Sequence, residues 1–398
     1  MSFDHFMGYR RSDGRVGIRN FPLVIAVMDN CNPLARRIAG AVRGAVPIVA
    51  AYGRGQKGED QRVHDTTLIN YGSHPNCQAA LVVGLEHVTA ERIAGEIAKT
   101  GRPVDWIDVQ GQGGTLNAFA DGVRRLNALI DASPARLERA LVSDLVIGLE
   151  CGGSDALSGI SGNAAMGVVS DRLSAAGATL ILSEIEEIIG AENFLADRAA
   201  TEEVRAKLLA AVARCEKHAD HMGLNMAPLG EDNILGGLST TEEKSLGAIR
   251  KSGTSPLNEV FANGERPSKR GVVFLDAPAP GTENTTALGA AGAHMILFNT
   301  GRGNPIGNPV SPTIKLTGSP DTASRMADNI DVDLSQIVTE GMDFDSAADR
   351  IMDMMRQTAA GRLTASELHG DTEISISRID NGFLRILAET DPDIAALT

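Results

Sequence analysis

Cysteine is scarce, with four residues at positions 31, 77, 151 and 215, none near another. Such spacing excludes a disulfide framework and a paired CxxC zinc site, and leaves at least two of the four as core residues. Long apolar runs are missing too. The opening MSFDHFMGYRRSDGR lacks the apolar centre of a signal peptide, and no later segment reaches a bilayer-spanning length, so a cytoplasmic protein with no membrane partner is expected. Basic blocks are also absent. With 37 Lys+Arg against 51 Asp+Glu, the formal charge of -14 opposes polyanions and argues against nucleic acid as a partner. Several catalytic and nucleotide signatures fail as well. GGSDA lacks the last glycine of a GxSxG elbow, VQGQGGTLNAF is misspaced for GxGxxG, and no GxxxxGK[ST] loop occurs.

What is present is enough apolar content, 43% of 398 residues, to build more than one core. Short β-rich runs alternate with segments of helical period. FPLVIAVMD, VPIVAAYG, CQAALVVGLE and VDWIDVQG form one series, and DLVIGLE, ATLILSEI, RGVVFLDAP and GAHMILFNTGRG a second, with a helical stretch from Glu202 to Cys215. That alternation predicts an α/β chain of two Rossmann-like domains with mainly parallel sheets and flanking helices. The polar ASPARLERA with Pro134 sets the expected boundary, giving an N-terminal α/β domain over 1–135 and a C-terminal Rossmann-like domain over 136–398.

Glycine loops at the carboxyl ends of such strands are where ligands bind. The stretch GLECGGSDALSGISGNAAMG, residues 148–167, places Cys151, Ser154, Asp155, Ser158, Ser161 and Asn163 among glycines after an apolar run. Its chemistry suits anion capture or metal ligation, and equally a loop whose Ser and Asp cap the next helix. FNTGRGNPIGNPVSPTIK, residues 298–315, sets Arg302 between two glycines, while GYRRSDGRVGIRN brings Arg15 and Arg19 before the first strand. A guanidinium fork matches a carboxylate or phosphate, so three such loops point to a small anionic substrate, with Arg19 and Arg302 gripping its carboxylate from different domains.

Taken in order, GYRRSDGRVGIRN, SHPNCQAALVVGLE, GLECGGSDALSGISGNAAMG, ILSEIEEIIGAE, GGLSTTEEKSLGAI and FNTGRGNPIG resemble the altronate and galactarate dehydratase family, which also includes the large subunit of sulfolactate sulfo-lyase. The resemblance runs from about Met7 to about Asp333. It implies a lyase that eliminates water, or sulfite in one branch, next to a carboxylate with the help of a divalent metal, iron before manganese or calcium. It implies a hydroxy-acid or sugar-acid substrate. Removing a proton alpha to a carboxylate builds a second negative charge, which a metal and arginines stabilise, and it needs a base and an acid for the leaving group. His74, Glu184, Asp155 and His294 are the candidates for that proton work, Arg15, Arg19, Ser154, Asn163 and Arg302 for substrate binding, and Cys151 and His87 for the metal.

The chain departs from the family where relatives carry cysteines: Gln56 stands in YGRGQKG and His87 after CQAALVVGLE. Imidazole suits iron or zinc, whereas an amide is a poor ligand. A noncatalytic paralogue that keeps anion binding is therefore the alternative, and a carbon-sulfur lyase on a sulfonated acid is another. Relatives also carry a small β-rich domain ahead of GYRRSDGRVGIRN, or supply it as a separate subunit. A small β-rich partner subunit and a homo-oligomer are accordingly expected.

Overall fold

The computed structural model describes residues 3–221, 223 and 230–378. In chain order the strands are β1 (His5–Arg10), β2 (Val16–Gly17), β3 (Phe21–Ala26), β4 (Val46–Ile48), β5 (Cys77–Gly84), β6 (Val104–Asp108) and β7 (Leu137–Leu141), then β8 (Val146–Cys151), β9 (Thr179–Leu182), β10 (Leu257–Ala262), β11 (Gly271–Asp276), β12 (Met295–Asn299), β13 (Thr313–Thr317) and β14 (Val332–Asp333). They form a four-stranded sheet ordered β4-β3-β5-β6, a seven-stranded sheet ordered β10-β11-β9-β8-β12-β13-β14, and a small sheet ordered β2-β1-β7. Every pairing in the two larger sheets is parallel.

Two compact units divide the chain, Gly8–Glu138 making the bulk of the smaller and Arg139–Gly289 with Ala293–Glu373 the bulk of the larger. Both are α/β with helices flanking parallel strands. The smaller carries α1 (Asn32–Ala41), α2 (Gly58–Gly72), α3 (His87–Ala98) and α4 (Thr115–Asp131). The larger includes α5 (Gly162–Ala175), α6 (Glu192–Ala196), α7 (Glu202–His221), α8 (Glu231–Leu235), α9 (Thr241–Ile249) and α10 (Gly281–Ala290). No helix among the described residues is long and apolar enough to cross a membrane.

Parallel strands buried on both faces read as continuous apolar runs rather than alternations. Every residue of β5, β12 and β13 is buried. The stretch 298–315, read above as one glycine loop, begins inside β12 and ends inside β13, because Thr313, Ile314 and Lys315 pair with Ile296, Leu297 and Phe298.

Strand order fixes where a ligand can sit. From β8 the chain builds β9 on one side, then β11 and β10 beyond it, and returns to place β12 on the other side. The strand order reverses between β8 and β12, and it is at such a point that loops from adjacent strands diverge and leave a crevice at the carboxyl ends.

Candidate active site at the end of the central strand

Cys151 ends β8, opposite Asn299 at the end of β12. The two following loops approach closely: Gly152 N–H donates to the Asn299 carbonyl at 3.1 Å and Arg302 N–H to the Gly153 carbonyl at 2.8 Å. Asp155 packs against Gly301, where a Cβ would collide with its carboxylate. Glycine is required there for the loops to meet.

Around Cys151 the fold gathers a buried cluster of acids and lysines. Lys251 Nζ lies 3.0 Å from the Cys151 thiol and forms an ion pair with Glu184, and both charged side chains are 0% exposed. The Cys151 thiol reaches Glu187 Oε2 at 3.4 Å, and Lys244 Nζ pairs with Glu187 at 2.5 Å. The Cys151 backbone N–H lies 3.4 Å from Glu184 Oε1. Glu184 is the only non-glycine residue with positive φ among those described, at 71°. That conformation is disfavoured for a side-chain-bearing residue, and the cluster holds it in place.

Electrostatics follow from the burial. Desolvation, with Glu187 next to it, pushes the Glu184 carboxyl up to about 8. Burial also raises the Cys151 thiol, reinforced by Glu184. Burial works on Glu187 in the same direction, yet Lys244 and Lys251 overcome it and hold that carboxyl below its ordinary value. Lys251 is drawn toward its neutral form by burial, but Cys151, Glu184 and Glu187 more than offset this and keep it protonated.

A cavity of about 200 Å³ opens on this cluster, with Cys151, Ser154, Asp155, Asn163, Lys244 and Arg250 in its wall. Cys151, Glu184 and Glu187 offer three donor atoms within 4.8 Å of one another, a set able to hold a metal ion. Sulfur and carboxylate together suit a borderline divalent cation.

The residues singled out from sequence fall in several places. Ser154 is buried in the cavity wall with a hydroxyl that has no partner. Asp155 Oδ1 accepts from the Ser158 N–H at 2.8 Å and hydroxyl at 2.7 Å, so it organises its own loop. Asn163 bridges Asn299 and the Gly247 carbonyl. Arg302 is half-buried in the loop after β12. His294 is not brought to the cluster. Its Nδ1 accepts from Val146 N–H at 2.9 Å, at the amino end of β8, about 16 Å of strand from Cys151.

The remaining candidates belong to the smaller unit. His74 is buried in the turn before β5, where Nδ1 accepts from Asn76 N–H at 3.0 Å. Arg15 bonds to Asp13 and to the Ser73 carbonyl, and Arg19 is buried with Nη1 on the Ile18 carbonyl at 3.2 Å. His87 is exposed at the first position of α3, and the amide atoms of buried Gln56 have no partner.

Sequence reading missed Glu187, Lys244 and Lys251. The two lysines sit in TEEKSLGAIRKSG, which reads as an ordinary helix because nothing local shows that its end folds over β8. Glu187 stands within ILSEIEEIIG beside two other acids, and only the turn after β9 selects it.

Residues 8–133 match the second domain of D-galactarate dehydratase/altronate hydrolase, and residues 142–381 match the C-terminal domain of D-galactarate/altronate dehydratase. The chain is 36% identical to (2R)-sulfolactate sulfo-lyase subunit beta of Chromohalobacter salexigens, over 94% of this chain and 97% of that one. It is 34% identical to altronate dehydratase of Escherichia coli, over 92% and 76%, and 31% identical to altronate dehydratase of Bacillus subtilis, over 93% and 77%. With both of its α/β units matched, the chain belongs to the D-galactarate/altronate dehydratase family.

Proposed function

We propose that this chain is a lyase that eliminates water from a small hydroxy acid, a sugar acid in the first instance, with Glu184 and Lys251 exchanging the protons. The observation that carries this reading is the fully buried Lys251–Glu184 ion pair in contact with Cys151, which lines the cavity. Lys244 and Arg250 in the cavity wall supply positive charge for the substrate carboxylate. The Glu184 carboxylate takes the proton alpha to that carboxylate, and the Lys251 ammonium protonates the hydroxyl leaving the neighbouring carbon. An enol and water result, and the enol tautomerises to a 2-oxo acid. The proton on Glu184 returns to the Lys251 amine across the bond that already joins them, and the pair is restored.

Cys151, Glu184 and Glu187 would hold a divalent metal, iron first by donor type, with Lys251 displaced from the thiol. When bound, such an ion stabilises negative charge on substrate oxygens and assists loss of hydroxide. A carbon-sulfur elimination is the second reading, favoured by the identity to the sulfo-lyase subunit beta over nearly its whole length. The name of that relative also supports a partner subunit for this chain.

The test is 2-oxo acid formation from a panel of aldonic, aldaric and sulfonated hydroxy acids, with exchange of the alpha proton in deuterated water followed in parallel. Glu184→Gln is expected to lose exchange and turnover together by 10²-fold or more, and Lys251→Met to lose turnover while retaining some exchange. Full turnover in either variant would overturn the assignment.

A further inference from the structure

The wall of the cavity over Cys151 has few polar groups to spare. Asp155 and Ser158 bond to each other, and Asn163 is held between Asn299 and the Gly247 carbonyl. Glu243 accepts from the Ser239 N–H and hydroxyl, and Lys244 pairs with Glu187. Two polar side chains of the wall have no partner among the described residues, the buried Ser154 hydroxyl and the exposed Arg250 guanidinium.

The rest of the lining is apolar, and part of it faces water. The helical turn Ser158–Ile160 and α9 touch through paired glycines, a Cβ at Gly159 standing 2.8 Å from the Gly247 Cα. Ile160 and Leu246, next in chain to those glycines, both line the cavity while 58% and 41% exposed. Ala156 and Leu238 extend the same lining. Methylene groups laid on these side chains leave water at a gain, whereas a hydroxyl brought there gives up its hydrogen bonds to water and finds no replacement.

We propose that Ala156, Ile160, Leu238 and Leu246 form a specificity subsite for an unsubstituted alkyl end, so that the preferred acid carries hydroxyls only on its two reacting carbons. Arg250 with Lys244 takes the carboxylate, Ser154 meets one reacting hydroxyl, and the chain beyond lies against the apolar wall. A fully hydroxylated chain brings one unmet hydroxyl with every further carbon. The inference rests on the lyase reading above for its reaction and narrows the substrate to an acid deoxygenated beyond the reacting carbons.

Two measurements on the full-length protein separate the claims. Calorimetric titration with propanoate and hexanoate requires no turnover, since neither acid has a hydroxyl to lose. Hexanoate is expected to bind about tenfold or more tighter, as three further buried methylenes imply, and the double variant Ile160→Gln/Leu246→Gln to lose that difference. Both side chains are exposed, so the melting temperature should hold; Leu246→Gln alone repeats the titration should the double variant fail to fold. In the kinetic arm, kcat/KM for the best diastereomer of 2,3-dihydroxyhexanoate should exceed that for any six-carbon aldonic acid at least tenfold, and the double variant should narrow the ratio. Hexanoate binding no tighter than propanoate, a chain-length gain that survives the substitutions, or an equal or higher kcat/KM for an aldonic acid overturns the inference and leaves the lyase reading intact. A chain-length gain removed by the substitutions, without elimination of any hydroxy acid, would sink the lyase reading and leave the subsite standing.

Discussion

At Cys151 the thiol is neutral because burial and the adjacent Glu184 both oppose a thiolate. The other cysteines are held back as well, burial pushing Cys31, Cys77 and Cys215 each up to about 11. None of the four should behave as a reactive surface thiol. Ellman's reagent at pH 8 is thus expected to modify the native protein slowly and to count four thiols after denaturation, and rapid loss of Cys151 in the folded state would contradict the neutral-thiol account. Cys151→Ala should cost about 1 kcal/mol of stability, the scale of one buried heavy atom, while removing the sulfur that both Lys251 and Glu187 touch. A melting scan beside a turnover assay checks it, activity falling far more than the melting temperature. Residue by residue, legibility depended on place. Cys151 could be read because an apolar run ends on it and glycines follow. Lys315, buried in TIKLT, was a charge inside an apolar strand and could have been flagged by that alone. Lys251 could not, since its approach to β8 depends on a turn a hundred residues away in sequence.

That turn is the element on which the site depends most. The single helical turn Arg250–Ser252 packs on α5 because two glycines permit it: a Cβ at Gly167 would strike the Arg250 carbonyl, and one at Gly253, where φ is 66°, would lie 2.5 Å from Asp171 Oδ1. Asp171 in α5 then accepts from the N–H groups of Thr254 and Ser255 and from both hydroxyls. Although burial opposes ionisation, these bonds, led by the Ser255 hydroxyl, hold its carboxyl below the ordinary range. A depressed folded pKa contributes stability above the unfolded value that is lost as pH falls through the folded one. The melting temperature should therefore drop on acidification below about pH 4, and Asp171→Ala should flatten that part of the profile and cost about 2 kcal/mol at neutral pH. Turnover should fall with it because Lys251 loses its tether, and an unchanged acid limb would refute the assignment. Elements themselves were legible wherever an apolar run stood between helical periods, as for β3, β5, β8, β9, β11 and β12. Strands without that contrast, β10, β13 and β14, escaped because their pairing is set by distant neighbours.

Across the molecule the two ammonium groups and the candidate metal compete for the same charge. Lys251 and Lys244 already neutralise Glu184 and Glu187, so a divalent cation that enters must displace an amine and convert the neutral Cys151 thiol to thiolate. Uptake should release protons and raise the melting temperature, at one hundred times Kd by about 2.7 kcal/mol in stability, and chelation should reverse both. Titrating iron, manganese and zinc into weakly buffered protein under anaerobic conditions measures this directly. A titration with neither proton release nor thermal shift would leave Lys244, Lys251 and Arg250 to supply the site's positive charge.

The reversal of strand order between β8 and β12 also has a consequence during synthesis. β8 is the first strand of its sheet to leave the ribosome but ends in the interior of the finished sheet, and its second neighbour begins only at Met295. A nascent chain that ends before that point already contains Cys151, Glu184, Glu187 and Lys251, yet β8 lacks the strand that covers its second edge. Every residue of the cavity wall precedes Met295, so a chain truncated there keeps the whole lining in its sequence but leaves β8 an open edge onto which a strand of another molecule can add.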